Sequence, residues 1–356
     1  MFGRLLVSVS VVAFALSCSA AAALAQAQQK VLLKIPIAFA TNLPSLGTSI
    51  QYFSDRVNAI PEMGITVRLY EPGKLVAPFE ILDAVSTGKT NAGYAAAGYW
   101  AGKIPASPLF TAVPFGPEAD EYIAWFYFGN GMKLYQEMYD SAGFNVKVLL
   151  CSMLAAETSG WFSKPINSPA DLKGLKMRFF GLGGEVMQKL GVSVSLLPAG
   201  EIFPALEKKA LDGTEFSMPA IDERLGFYKV VKYNYYPGWH QQGTALELLI
   251  NKDVWNGLSK GQQTFLDMAC KETVAQSIAE GEAIQFDVIK RNNERGVVSL
   301  YWSKDMLALF EKTWHEVATE QSAKDPFFKK VFDDLTAFRV GYTEWKKLAF
   351  LPRPSK

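Results

Sequence analysis

The chain has 356 residues, is 49% hydrophobic and 13% aromatic, and sets 36 Lys and Arg against 35 Asp and Glu. Near-neutrality without a basic run excludes the electrostatic footprint of a nucleic-acid binder and of a polybasic membrane attachment. The composition is too apolar for disorder, and the length allows two sizeable cores.

The chain opens on the three-part layout of an exported protein: Arg4, an apolar run over residues 5–16, and Ala23-Leu24-Ala25 before Gln26. Residues 1–25 are therefore predicted to be a signal peptide, which places the mature protein in the periplasm. That run is too short to span a bilayer, and no later stretch comes near the roughly eighteen apolar residues a span needs. Next comes an apolar strand over residues 31–40, then the loop Thr41-Asn42-Leu43-Pro44 and a helix through Val57. Residues 67–75 predict a strand closed by a Gly turn, residues 79–85 an amphipathic helix, and the Gly88 turn leads to a second strand that ends near Tyr99 and Trp100. A further strand over residues 175–180 feeds the loop Gly181-Leu182-Gly183-Gly184 and a helix over residues 185–190.

Residues 67–75 recur as residues 194–202, at a constant offset of 127. In both copies an amphipathic stretch follows, then a Gly turn at Gly88 or Gly213, then a short strand. Two such units predict two similar α/β lobes with mostly parallel strands, facing each other across a cleft beyond the carboxyl ends of the strands. The Gly181 loop does not complete a dinucleotide fingerprint, because Val186 stands where the third glycine belongs and no acid follows at the required distance.

Cysteine and histidine are scarce. Outside the signal segment only Cys151 and Cys270 remain, without the spacing of a zinc or thiol redox site, and they are read as two buried free thiols. With only His240 and His315, a catalytic triad or multi-histidine centre would have to be built around one of them. His315 lies on the amphipathic run 306–320 and is read as a helix-surface residue; His240 is read as a rim residue of the cleft. Arg178 ends a strand at that cleft, where a guanidinium grips a carboxylate through two parallel hydrogen bonds. Tyr99 ends a strand of the first lobe, from which its hydroxyl can donate to the ligand. Trp100 and Trp239 are weaker candidates for the pocket wall.

The residues Trp161-Phe162, the run 166–178 ending in Lys176-Met177-Arg178, Pro204-Ala205-Leu206-Glu207 and Leu211-Asp212-Gly213-Thr214-Glu215 carry a resemblance to the solute-binding subunits of tripartite ATP-independent periplasmic (TRAP) transporters. The similarity extends over about residues 33–345. Within this DctP-like family the run 225–230 and Tyr235-Tyr236-Pro237-Gly238-Trp239 resemble the 2-oxoacid-binding subgroup. The resemblance implies a type II periplasmic binding protein: lobe I from residues 26–151 and about 244–285, lobe II from residues 152–243 and about 286–356. It also implies a function, capture of a small 2-oxo or 2-hydroxy monocarboxylate and delivery to membrane permease subunits, without catalysis. An exported hydrolase using Glu157 or Glu215 as general acid or base is the alternative.

For the site, the resemblance implies that Arg178, Glu157, Tyr99, Phe216 and Gln241 bind the acid, and that Glu215, Phe216 through its carbonyl, and Gln241 hold Na⁺ or Ca²⁺. This sequence departs from the subgroup twice, with an acid in place of an amide at Glu157 and an amide in place of an acid at Gln241. Oxygen donors of this kind suit hard cations. Some members of the subgroup dimerise by exchanging a long C-terminal helix. Here the helical pattern over 331–348 meets Pro352 and Pro354, so a monomer is expected, with a dimer through another face as the alternative.

Overall fold

The computed structural model describes residues 30–351; the predicted signal segment, Pro352 and Pro354 lie outside the described residues. Its strands are β1 Val31–Pro36, β2 Ile65–Tyr70, β3 Ala92–Ala95, β4 Val146–Leu154, β5 Gly160–Phe162, β6 Lys176–Arg178, β7 Ser193–Ser195, β8 Gly213–Thr214, β9 Tyr233–Tyr236, β10 Thr244–Asn251 and β11 Val298–Tyr301. The helices that frame them are α1 Thr48–Asn58, α2 Ile81–Ser86, α3 Ala119–Phe128, α4 Gly131–Ser141, α5 Gly181–Lys189, α6 Ala199–Glu207, α7 Pro219–Leu225, α8 Lys252–Gly257, α9 Lys260–Glu294, α10 Lys304–Lys324 and α11 Pro326–Ala349.

The repeat read from the sequence is the frame of both halves. In the first, β1 pairs in parallel with β2, and Ile37 bridges in parallel to Tyr94 of β3. In the second, β6 lies between β7 and β8 and is parallel to both. The strand-helix-strand order therefore places β1 and β6 in equivalent central positions, each ending at the cleft.

Three sheets result, and they are not mostly parallel: β1-β2 is parallel, β3-β10-β4 antiparallel and β11-β9-β5-β8-β6-β7 mixed. β10 runs antiparallel to β3 and β4, and β5 runs antiparallel to β8 and β9. The reason is the route of the chain. β4 leaves the first sheet toward the cleft and β5 enters the second from it; β9 and β10 make the return journey. A strand that starts at the cleft must oppose strands that end there. The two crossing segments lie side by side, with Glu157 N–H donating to Gln241 O at 3.2 Å and Ser159 N–H to Tyr235 O at 2.7 Å. Gly238 permits this approach, since a Cβ there would stand 2.2 Å from Glu157 O.

Three other expectations change. The glycines 181–184 form the first turn of α5 rather than a loop, entered through a positive φ of 61° at Gly181. Cys151 on β4 and Cys270 on α9 are joined in a disulfide, not left as free thiols. Their side chains meet only because α9 packs along β4, a contact the sequence does not display. Finally, the last helix does not pack on the second half alone: α11 lies against α10 and also on α3 and α4 of the first. Asp334 accepts from Trp125 Nε1 at 2.8 Å and Asn130 Nδ2 at 2.7 Å, and Arg339 pairs with Glu121 at 3.1 Å.

α9, 35 residues long, spans both halves. A reciprocal cap starts it, with Gln262 N–H donating to Ser259 Oγ and Ser259 N–H to Gln262 Oε1. Among the described residues no helix is long and apolar enough to cross a membrane.

Candidate functional site

Between the two sheets lies a small cavity with about 30 Å³ of water-accessible space. The first half contributes Phe39, Leu46, Tyr99, Thr244 and Leu246, and the second contributes Arg178, Phe180, Phe216 and Ser217. Glu157 and Gln241 reach it from the two crossing segments. All five residues predicted to bind the acid thus line one cavity.

β6 and β8 pair with Arg178 opposite Thr214, and Glu215 N–H donates to Arg178 O at 3.0 Å, so register alone sets Arg178 beside Glu215. Arg178 is 1% exposed. Its Nη1 donates to Glu215 Oε2 at 2.8 Å and to Glu215 O at 2.6 Å, and its guanidinium lies 5.0 Å over the Phe216 ring. Phe180 N–H adds a second bond to Oε2 at 3.0 Å. Burial pushes the Glu215 carboxyl up, but Arg178, His240 and the Phe180 N–H together hold it below the usual range.

Glu157 has the opposite bias. Its Oε1 accepts from Ser217 Oγ at 3.2 Å and Thr244 Oγ1 at 2.9 Å, while burial, reinforced by the negative charge of Glu215, drives its carboxyl well above the ordinary value. Gln241 Nε2 donates to the same Thr244 hydroxyl at 2.8 Å. Tyr99 sits in a short turn, with its ring against Phe39, Phe79 and Phe180. Burial lifts its hydroxyl to about 12, so it remains a donor at every physiological pH.

The structure also decides the weaker candidates. Trp100 is core, with Nε1 donating to Glu247 at 2.8 Å. Trp239 is core, stacked on Phe115 and Phe310. His315 is exposed on α10. His240 is not a rim residue: it is 1% exposed, and its Nε2 lies 3.3 Å from Glu215 Oε1. Sequence reasoning missed Ser217, Thr244 and Phe180. Their signal was proximity to predicted site residues, too common a property to single them out.

Five buried atoms on these residues lack a well-aligned hydrogen-bond partner: Glu157 Oε2, Glu215 Oε1, Gln241 Oε1 and both ring nitrogens of His240, whose Nε2 lies 3.3 Å from Glu215 Oε1. Buried polar atoms are nearly always satisfied. The three orphan oxygens, two on residues that line the cavity and one on the Glu215 paired with Arg178, are of the kind a hard cation takes. A larger groove of about 890 Å³ runs between α3 and the end of α11, but no unsatisfied buried polar atom lies among its lining residues.

Two sheets built from a repeated unit, linked by crossing segments and enclosing one arginine with carboxylates, define a two-lobed solute-binding protein. Residues 39–325 match the family described as bacterial extracellular solute-binding protein, family 7 (DctP), and the chain belongs to that family. It is 36% identical over 306 residues to a monocarboxylate 2-oxoacid-binding periplasmic protein of Nostoc sp., covering 85% of this chain and 84% of that one. Among solved structures, a TRAP solute-binding protein of Bordetella bronchiseptica with calcium and picolinate superposes with a TM-score of 0.88 at 29% identity, over 90% of this chain and 95% of the other. One from Colwellia psychrerythraea with calcium and pyruvate matches with a TM-score of 0.85 at 31% identity, over 90% and 98%. One from Pseudoalteromonas atlantica with sodium and pyruvate gives 0.85 at 30%, over 90% and 97%. Proteins of this class work with membrane permease subunits.

Proposed function

We propose that this chain is the periplasmic capture subunit of a TRAP transporter, that it binds a small 2-oxo or 2-hydroxy monocarboxylate together with a cation, and that it makes or breaks no bond. The observation that carries this reading is the buried Arg178 at the wall of a cavity that Glu157 and Gln241 also line, each with an orphan oxygen, while the Glu215 paired with Arg178 carries a third. A ligand carboxylate placed there finds a guanidinium and the Tyr99 hydroxyl. A cation on Glu215, Gln241 and the Phe216 carbonyl, with Glu157 beside it, offsets the repulsion between that carboxylate and the protein's own. The donors fit such an ion. The narrow cavity favours an acid of few carbon atoms over a sugar acid, and the relatives' pyruvate agrees in size.

The split between Glu157, held high, and Glu215, held low, is also what an acid-base pair would show, and one experiment separates the readings. Metal-stripped protein is titrated calorimetrically with pyruvate, lactate and larger acids, with and without Na⁺ or Ca²⁺, and each acid is assayed afterwards for change. The expected result is saturable, cation-dependent binding with the acid recovered intact. Binding of none of these acids in any cation, or recovery of a product, overturns the proposal.

A further inference from the structure

Beside the cavity stands one donor that the reading above does not use. Glu157, which lines the cavity, and Glu215 and His240 each offer one ligand-type atom, all within 4.8 Å of one another and all buried. Metal–ligand bonds near 2.1 Å place ligand atoms roughly 3–4 Å apart, so a small contraction brings these three onto one ion. Neither ring nitrogen of His240 makes a well-aligned hydrogen bond, Nε2 meeting only Glu215 Oε1 at 3.3 Å, although the residue is 1% exposed. Its position is built rather than incidental. The ring packs at 4.9 Å against Phe179 and at 5.6 Å against Trp239, and Gly183 leaves the room, since a Cβ there would stand 2.8 Å from that of His240. So held, Nε2 points at the orphan Oε1 of Glu215.

We propose that His240 supplies a nitrogen ligand to the cation site, so that the site accepts a divalent transition ion of the Zn²⁺ class rather than being limited to Na⁺ or Ca²⁺. The inference rests on the reading of this cavity as a cation-assisted acid site. Hard ions take oxygen and gain little from imidazole, whereas Zn²⁺ binds imidazole and carboxylate together. A buried imidazole without a well-aligned hydrogen bond, beside two carboxylates, matches the second preference.

The test uses the mature chain stripped of metal and compares it with His240→Gln, which exchanges the imidazole nitrogen for an amide whose oxygen suits a hard ion and whose nitrogen is no metal ligand. Calorimetric titration with Zn²⁺ is expected to show at least about a tenfold loss of affinity in the variant, while Ca²⁺ affinity changes by less than about threefold. Zinc-edge X-ray absorption of the unsubstituted protein is expected to show imidazole scattering at stoichiometric loading, and this readout needs no variant to fold. Absence of that scattering, or an equal loss for both ions, overturns the proposal. A parallel pyruvate titration keeps the two ideas apart. Pyruvate bound with Na⁺ or Ca²⁺ while zinc finds no nitrogen sinks the histidine ligand alone, and imidazole-bound zinc without pyruvate binding in any cation sinks the acid-binding reading alone.

Discussion

Arg178 has two tasks that compete for one guanidinium. It neutralises Glu215 through Nη1 and faces the cavity. A lysine keeps the charge but has no fork to divide between the two partners. We expect Arg178→Lys to weaken pyruvate binding by at least about tenfold, the worth of one charge-assisted hydrogen bond. Calorimetry at fixed cation concentration checks this; an affinity equal to that of the parent would remove Arg178 from the ligand's neighbours. Arg178 and Glu215 were each legible as candidates, because one ends a strand and the other follows a glycine turn, although their pairing was not and follows from the register of β6 and β8. His240 was not. Its burial depends on Gly183, remote in sequence and placed against it by α5. Ser217 and Thr244 were equally hidden, because the carboxylate they both serve belongs to a third segment.

At the scale of elements, β10 is buried along its whole length and carries Glu247 into an aromatic nest. Trp100 Nε1 donates to Oε1 at 2.8 Å, and the Tyr135 and Tyr139 hydroxyls donate to Oε2 at 2.6 and 2.7 Å. Burial still raises the Glu247 carboxyl from 4.5 to about 7. Between those values the folded state holds a proton that the unfolded state has released, so stability falls as pH rises through that window and is level on either side. The full effect is about 3 kcal/mol. Glu247→Gln is therefore expected to flatten the dependence of the melting temperature on pH between about 4.5 and 7, relative to the parent, and parallel curves would refute the assignment.

The bridge between β4 and α9 closes a sequence separation of 119 residues. Chain entropy assigns such a loop about 4–5 kcal/mol, of which engineered pairs often return less. Replacing Cys151 and Cys270 together by Ala should cost about 3–5 kcal/mol in urea unfolding, and an unchanged midpoint would show that the thiols are unlinked. The strand-helix-strand units were readable because each is local. The direction of β5 and β10 and the partner of Cys151 were not, since both follow from where the chain re-enters a sheet.

For the whole molecule, the last helix bears on assembly. α11 is held along its length by its own chain: Lys330 with Glu137, Asp334 with Trp125 and Asn130, Arg339 with Glu121, Tyr342 with Asp120 and Lys346 with Glu118. A helix so engaged is not available for exchange, and light scattering at micromolar concentration is expected to return the mass of one chain. A dimer mass independent of concentration would place an interface on another face.

α9 reaches farther than any other helix among the described residues, roughly 50 Å. One end is welded to the first half by Cys270 and by Glu280, which accepts from Thr48 Oγ1 at 2.6 Å and Ser45 N–H at 3.1 Å. The other clasps α7, just beyond the cavity wall, through Arg291 and Arg295 on Glu223 at 2.8 and 2.7 Å. If release of the proposed ligand parts the halves, the covalent end cannot yield and the ionic end can. Both arginines are more than a third exposed, so added salt weakens that clasp while hardly touching the buried Arg178 pair. The residence time of a captured acid should thus shorten as ionic strength rises, a trend that stopped-flow release measurements would find in the parent and lose in an Arg291→Gln, Arg295→Gln variant.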